Sequence, residues 1–183
     1  MARGRVAYQG APGSFSHEAC AVLRPWDEPV GHETFAQAID AVRQGDCDCA
    51  LIPVENSRIG TVQPASDLVA ASGLEVLAEV WRPIRLALMA PEGARLSDIR
   101  TVESHPAALG QCTGTLADLG LKAVEAYDTA GAARAVAEAG DTSRGALAPT
   151  GAAEIYGLSI LRNDMQDSAD NRTRFVLLGR KGA

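Results

Sequence analysis

Polar residues gather at four places where a predicted strand gives way to a loop or a helix. Gly10-Ala11-Pro12-Gly13-Ser14-Phe15-Ser16 follows the first apolar run, and Glu55-Asn56-Ser57-Arg58-Ile59-Gly60-Thr61 follows another that ends at Val54. Ser104-His105-Pro106 and Asp128-Thr129 follow two more. Hydroxyls, amides and glycine backbone at the carboxyl ends of strands are what an α/β protein uses to hold a small ligand. Ser104 and Thr129 have the residue types of helix N-caps, and Pro106 suits a first turn. Unpaired backbone N–H groups and the helix dipole at such starts favour a small anion. Capping and turn-making account for any single loop; the four together point to a small anionic ligand.

What is missing narrows the chemistry. Gly10–Ser16 is not G-x-G-x-x-G, and there is no Walker lysine pattern, no G-x-S-x-G elbow, and no H-x-x-x-H or acidic cluster at metal-ligand spacing. The three histidines, His17, His32 and His105, are scattered and read as surface or capping residues. Cys47-Asp48-Cys49 is too tight for a zinc knuckle, and Cys20 and Cys112 fall within helical patterns. All four cysteines read as buried or half-buried free thiols, with a disulfide or a catalytic thiol as the other reading. The chemistry must then run on hydroxyls, amides and backbone dipoles, with no cofactor and no metal.

The elements that position these loops alternate between strand and helix. Strands are predicted at 5–9, 49–54, 74–80, 84–89, 100–103, 122–126, 146–148, 159–162 and 174–178. Helices are predicted at 16–24, 34–44, 65–71, 106–119, 130–139 and 152–156. The alternation argues for α/β with largely parallel sheet. One stretch echoes another: Thr34 to Gly45-Asp46 leads into Ala50-Leu51-Ile52-Pro53, and Thr129 to Gly140-Asp141 leads into Ala146-Leu147-Ala148-Pro149. Either two Ala-rich helices resemble each other by chance, or the chain folds into two similarly built lobes with a ligand cleft between them.

With 183 residues, a net charge of −6 and 46% apolar residues, the chain has enough material for a buried core but no basic block for a phosphate backbone, which excludes nucleic acid as a partner. No segment has the length of a membrane span or the pattern of a secretion signal, so the expected location is cytoplasmic.

Pro12-Gly13-Ser14-Phe15-Ser16-His17-Glu18-Ala19, Leu51-Ile52-Pro53-Val54-Glu55-Asn56-Ser57, Ser104 to Cys112 and Asn171-Arg172-Thr173-Arg174-Phe175, in that order, resemble prephenate dehydratase. Tyr8-Gln9-Gly10 and Asp128 to Ala133 resemble the branch that includes arogenate dehydratases. The resemblance implies a periplasmic-binding-protein-like fold of two lobes, each a mixed, largely parallel sheet with flanking helices, and an active site in the interlobe cleft. Residues 1–80 with 164–183 are expected to form one lobe and 81–163 the other. It further implies decarboxylating dehydration of prephenate to phenylpyruvate in phenylalanine biosynthesis, with no cofactor.

By the same resemblance Thr173 assists the leaving hydroxyl, Asn56 and Ser104 orient the substrate, Gln111 bonds the ring substituents, and Glu55 completes the catalytic set. Ser14, Phe15, Ser57, Thr129, Arg174 and Phe175 are expected to line the substrate, although Arg174 falls on the opposite strand face from Thr173 and has pairing with an acid as its other reading. Many relatives continue into a phenylalanine-binding ACT domain; none is expected here, nor allosteric control by phenylalanine. A homodimer is expected, with Trp81 and Leu86–Met89 as contacts. Arogenate dehydratase, a non-aromatising prephenate decarboxylase and a non-catalytic small-anion binder are the alternatives.

Overall fold

A computed structural model describes residues 3–182 and divides the chain into two units. Unit 1 comprises Met1–Ala11, Phe15–Ile84 and Asp170–Ala183, and unit 2 comprises Pro12–Ser14 and Arg85–Ala169. Met1, Ala2 and Ala183, at the outer ends of the expected first lobe, lie outside the described residues.

In unit 1 the strands are β1 (Arg5–Gln9), β2 (Glu28–His32), β3 (Cys49–Asn56), β4 (Gly60–Thr61), β5 (Glu75–Pro83) and, from the end of the chain, β11 (Arg172–Gly179). They lie in the order β2-β1-β3-β11-β5, with β4 against β3. β1 pairs in parallel with β2 and β3, whereas β11 runs antiparallel to both β3 and β5. Helices α1 (Phe15–Leu23), α2 (Phe35–Gln44) and α3 (Ala65–Ala71) cover the sheet. The run Cys-Ala-Leu-Ile on β3 is buried throughout, as a central strand requires: Cys49 and Leu51 join the cluster with Phe175 and Leu177, and Ala50 and Ile52 join the one with Val42 and Leu178. Thr34 caps α2 through a reciprocal bond pair with Gln37, and Gly45 closes it in the left-handed region at φ 87°.

In unit 2 the strands are β6 (Ala87–Pro91), β7 (Thr101–Ser104), β8 (Lys122–Glu125), β9 (Arg144–Ala148) and β10 (Leu158–Arg162), in the order β10-β6-β9-β7-β8. β7 is parallel to β8 and β9; β6 is antiparallel to β9 and β10. The helices are α4 (Pro106–Gly110), α5 (Thr113–Asp118), α6 (Thr129–Ala139) and α7 (Gly151–Tyr156). Both sheets are mixed, and the expected predominance of parallel pairing is confined to three strands of each. β11 and β6 return antiparallel, which local apolar runs do not encode.

The units change over at 84/85 and 169/170, a few residues past the boundaries expected at 80/81 and 163/164. β5 keeps pairing with β11 as far as Pro83 opposite Arg172, and the Ile84 N–H donates to the Asn171 carbonyl at 2.9 Å. The Met165 N–H donates to the Leu86 carbonyl at 2.8 Å, which holds the following segment to unit 2. Pro12–Ser14 go with unit 2 because the Tyr156 hydroxyl donates to the Pro12 carbonyl and the αC of Gly13, at φ 90°, packs on Ala152.

Two expectations are corrected here. Leu86–Met89 is no contact surface: all four residues are 0–1% exposed in the core of unit 2. Trp81 does lie outward, 44% exposed on the edge strand β5. The helix expected over 106–119 breaks at Gln111, where the backbone carbonyl accepts from the Asp167 N–H at 2.7 Å. No helix among the described residues is long and apolar enough to cross a membrane.

Candidate functional site

Along β11, Thr173 faces Asn56 and Arg174 faces Glu55, but Phe175 faces Pro53, so Val54 has no partner there. This is a β-bulge. It seats Asn56 beside Thr173 on the face that buries Phe175 and Leu177, and puts Glu55 beside Arg174 on the other face. Pro53, which has no N–H, lies beyond the two residues of β3 that pair with β1.

Asn56 is the last residue of β3, just before the turn, and is 9% exposed. Its Oδ1 accepts from the backbone N–H groups of Arg58 at 2.9 Å and Ile59 at 3.2 Å. Those two donors fix which end of the amide is oxygen. The Nδ2 therefore faces the other way and donates to Asn171 Oδ1 at 2.8 Å and Thr173 Oγ1 at 3.0 Å. Every hydrogen of the Asn56 amide is used inside unit 1. Thr173, 8% exposed, accepts at its oxygen, and among the described residues no acceptor takes its own proton. A buried hydroxyl whose lone pair is engaged and whose proton is not is arranged to donate to a ligand.

Ser57 is a staple. Its N–H donates to the Arg172 carbonyl at 2.9 Å, its hydroxyl donates to the Asp170 carbonyl at 3.2 Å and accepts from the Arg172 N–H at 2.9 Å. It holds the loop after β3 against the entry to β11. Arg174 donates to Glu55 at 3.0 Å and Glu79 at 3.2 Å. The acid-pairing reading of Arg174 is the one the geometry contains, and Glu55 is engaged with it away from Thr173. Phe175, 2% exposed, is a core residue.

Unit 2 spends its polar residues differently. Ser104 is fully buried at the end of β7 and its hydroxyl donates to the Leu147 carbonyl at 2.7 Å. The expected N-cap role passes to His105, whose Nδ1 accepts from the Ala107 N–H at 3.1 Å. At α6 the cap is Asp128, accepting from the Gly131 N–H, and Thr129 is the first helical residue. Ser14 and Gln111 are half-buried, with Gln111 capping the end of α4. Phe15 opens α1 and packs on the core of unit 1.

Among the expected site residues, the structure thus joins Asn56 to Thr173 directly. It assigns Ser57, Glu55, Arg174, Phe175 and Ser104 to bonds or packing within their own unit. Asn171, the residue just before β11 and the first of the Asn171-Arg172-Thr173 motif, is a member of the central network. The four cysteines are free and buried. Burial pushes the Cys20 and Cys112 thiols up to about 12 and Cys49 to about 11, so none is a nucleophile at neutral pH.

A family model described as prephenate dehydratase matches residues 6–183. Arogenate dehydratase/prephenate dehydratase 2, a chloroplastic protein of Arabidopsis thaliana, is 42% identical over 179 residues, which are 98% of this chain and 47% of that protein. A bifunctional N-acyl-homoserine lactone acylase/prephenate dehydratase of Komagataeibacter europaeus is 38% identical over 178 residues, 97% of this chain and 63% of that one. The crystal structure of prephenate dehydratase from Arthrobacter aurescens, in complex with L-Phe, matches with a TM-score of 0.89 at 29% identity, covering 98% of this chain and 61% of that chain. The chain spans about half the length of the plant relatives and under two thirds of these bacterial ones.

Proposed function

The chain belongs to the prephenate dehydratase family, and from that premise we propose that it converts prephenate to phenylpyruvate, water and CO2, with Thr173 as the group that assists departure of the ring hydroxyl. The observation that carries the proposal is the locked amide of Asn56, which engages the Thr173 oxygen and leaves the Thr173 proton for a ligand.

Prephenate is a dianion with a ring carboxylate and a pyruvyl group on one ring carbon and a hydroxyl on the carbon across the ring. The bond from the ring to the carboxylate breaks and its electron pair enters the ring. The opposite carbon–oxygen bond breaks in turn, and the ring becomes aromatic. The departing oxygen takes up one proton to leave as water, so the net reaction consumes one proton. Thr173 supplies a hydrogen bond along that path and relays the proton from solvent; a threonine hydroxyl is too weak an acid to end as an alkoxide. In this reading Asn56 positions Thr173 and does not itself touch the substrate. Gln111, Thr129 and Ser14 contact the rest of the substrate. In the same reading the chain carries out the aromatising step of phenylalanine biosynthesis, in the cytoplasm and as a homodimer with Trp81 in its contact.

The test is to follow phenylpyruvate by ultraviolet absorbance after adding prephenate to the 183-residue chain without cofactor, with arogenate run in parallel. Arogenate carries an amine where prephenate carries a keto group, and the names of the plant relatives make it the second substrate to try. Phenylpyruvate formed from prephenate supports the proposal. Phenylalanine formed from arogenate alone replaces the substrate, CO2 release with the ring hydroxyl retained makes the chain a decarboxylase, and binding of either compound without turnover makes it a binding protein.

A further inference from the structure

Arg82 lies on β5 directly opposite Thr173, which faces Asn56, so the three stand in one row across β5, β11 and β3. Period-two alternation puts Arg82 on the face of Ala78 and Val80, which pack against the cluster of Phe175 and Leu177. Four arginines among the described residues are half-buried: Arg82, Arg144, Arg174 and Arg180. Arg144 is answered by Glu103 at 2.6 Å, Arg174 by Glu55 at 3.0 Å and Glu79 at 3.2 Å, and Arg180 by the carbonyls of Val42 at 2.7 Å and Cys47 at 3.2 Å. The guanidinium of Arg82 makes no hydrogen bond or ion pair with any described residue. A guanidinium left without an acidic partner among the described residues keeps its donors for an incoming anion.

We propose that Arg82 binds a carboxylate of the substrate, and specifically the one that survives into the product. This rests on the reading of Thr173 as the donor to the ring oxygen. Side chains opposite each other across antiparallel strands have Cβ atoms about 4.5–5.5 Å apart, and the arginine arm extends well beyond that, so a molecule held at the Thr173 hydroxyl lies within its reach. The guanidinium fork matches a carboxylate in two parallel hydrogen bonds. Pairing with the departing ring carboxylate would stabilise a charge that the reaction removes, and so favour the ground state over the transition state. Pairing with the pyruvyl carboxylate binds both states alike. Arg82 is then a binding residue whose loss falls on KM.

The experiment compares the wild type with Arg82→Gln and Arg82→Lys in steady-state kinetics and in calorimetric binding of phenylpyruvate, which retains the surviving carboxylate. For Arg82→Gln, the loss of a charge-assisted hydrogen bond raises KM for prephenate and Kd for phenylpyruvate roughly ten- to a hundredfold, with kcat changed by less than about threefold. Arg82→Lys restores part of the affinity, and added salt weakens binding more in the wild type than in Arg82→Gln. Unchanged KM and Kd in folded Arg82→Gln overturn the inference, as does a loss confined to kcat. A wild type that binds phenylpyruvate but does not turn over prephenate sinks the proposed function instead, and the difference in Kd between wild type and Arg82→Gln still decides the role of Arg82.

Discussion

β2, β1 and β3 lie side by side in unit 1 as β8, β7 and β9 do in unit 2, parallel in both, and each trio is followed by two antiparallel strands, β11-β5 and β6-β10. The strand next to β3 or β9 comes in each case from the other half of the chain: β11 follows the last strand of unit 2, and β6 follows β5. α2 leads into β3 as α6 leads into β9, the same places that the sequence echo marks. Within this shared plan the polar side chains are used in opposite ways. At the end of β3, Asn56, Asn171 and Thr173 bond to one another out of solvent and leave one proton over. At the end of β7 and the starts of α4, α5 and α6, Ser104, His105, Asp167 and Asp128 each bond a backbone group. A side chain spent on backbone fixes the shape of a loop. A side chain held by other side chains can present an atom to a ligand, as Thr173 does in unit 1.

The largest effect should come from removing the proton that unit 1 presents. Thr173→Val keeps the branched shape and strand propensity and loses only the hydroxyl. Turnover should fall about 10²- to 10⁴-fold, with substrate affinity changed far less. Thr173→Ser should recover part of the rate. Full turnover in a folded Thr173→Val protein would erase the distinction between the two units.

Next in size is Asn56, for which two substitutions separate scaffold from positioning. Asn56→Ala strands the N–H groups of Arg58 and Ile59 and should cost roughly 2–3 kcal/mol of stability as well as turnover. Asn56→Asp keeps an acceptor for both N–H groups but cannot donate to Thr173 or Asn171. It should lose about tenfold or more in kcat while keeping most of the melting temperature that Asn56→Ala loses. A kcat for Asn56→Asp equal to the wild type would show that the amide does not act through Thr173.

The same contrast explains what could be read in advance. β1 and α3 fall at the expected residues because periodicity and flanking glycine or proline are local signals. β2 is absent from the sequence reading because Glu-Pro-Val-Gly-His has little strand propensity; it exists through pairing with β1 from Arg5 opposite Glu28 to Gln9 opposite His32. Its proline is tolerated at the sheet edge. The Asn56 and Thr173 pairing was legible only as two motifs, since the bulge at Val54 that aligns them is a property of strand register. Ser104 was assigned one residue away from the cap, because serine before a proline-led helix has the right type while the bonds go to His105. The acid partners of Arg174 lie on two other strands, and only their presence could be anticipated.

Ser104 offers a smaller and sharper test of unit 2. If its hydroxyl serves only the Leu147 carbonyl, Ser104→Ala should cost about 1 kcal/mol in denaturant unfolding and leave kcat and KM as they were. A large fall in kcat with little loss of stability would mean that Ser104 reaches the substrate after all, and that the end of β7 is furnished for chemistry.

The smallest effect concerns Asp167, whose carboxylate accepts from the N–H groups of Gly114 and Thr115, each at 2.9 Å, and from the Thr115 hydroxyl at 2.9 Å. These bonds hold its pKa below the usual carboxylate range, the two backbone donors foremost. A carboxyl whose folded pKa is lowered binds protons more weakly in the folded than in the unfolded chain. Its contribution to stability is therefore complete above the unfolded value of about 3.9 and is lost as pH falls through the lower folded value. The side chain is exposed, so solvent screens much of the effect. Asp167→Asn removes the charge and keeps one acceptor oxygen. The mutant should melt slightly below the wild type at pH 7, and the gap should begin to close near pH ~4, where the unfolded chain's carboxyl takes up its proton, and go on closing as pH falls through the lower folded value. Turnover at pH 7 should not move, because the bonds of Asp167 end on backbone and on Thr115. A gap in melting temperature that stays constant from pH 7 down to pH 3 would show that the loss is one of packing and not of charge at the start of α5. A change in kcat would show that this part of unit 2 does more than hold its own backbone.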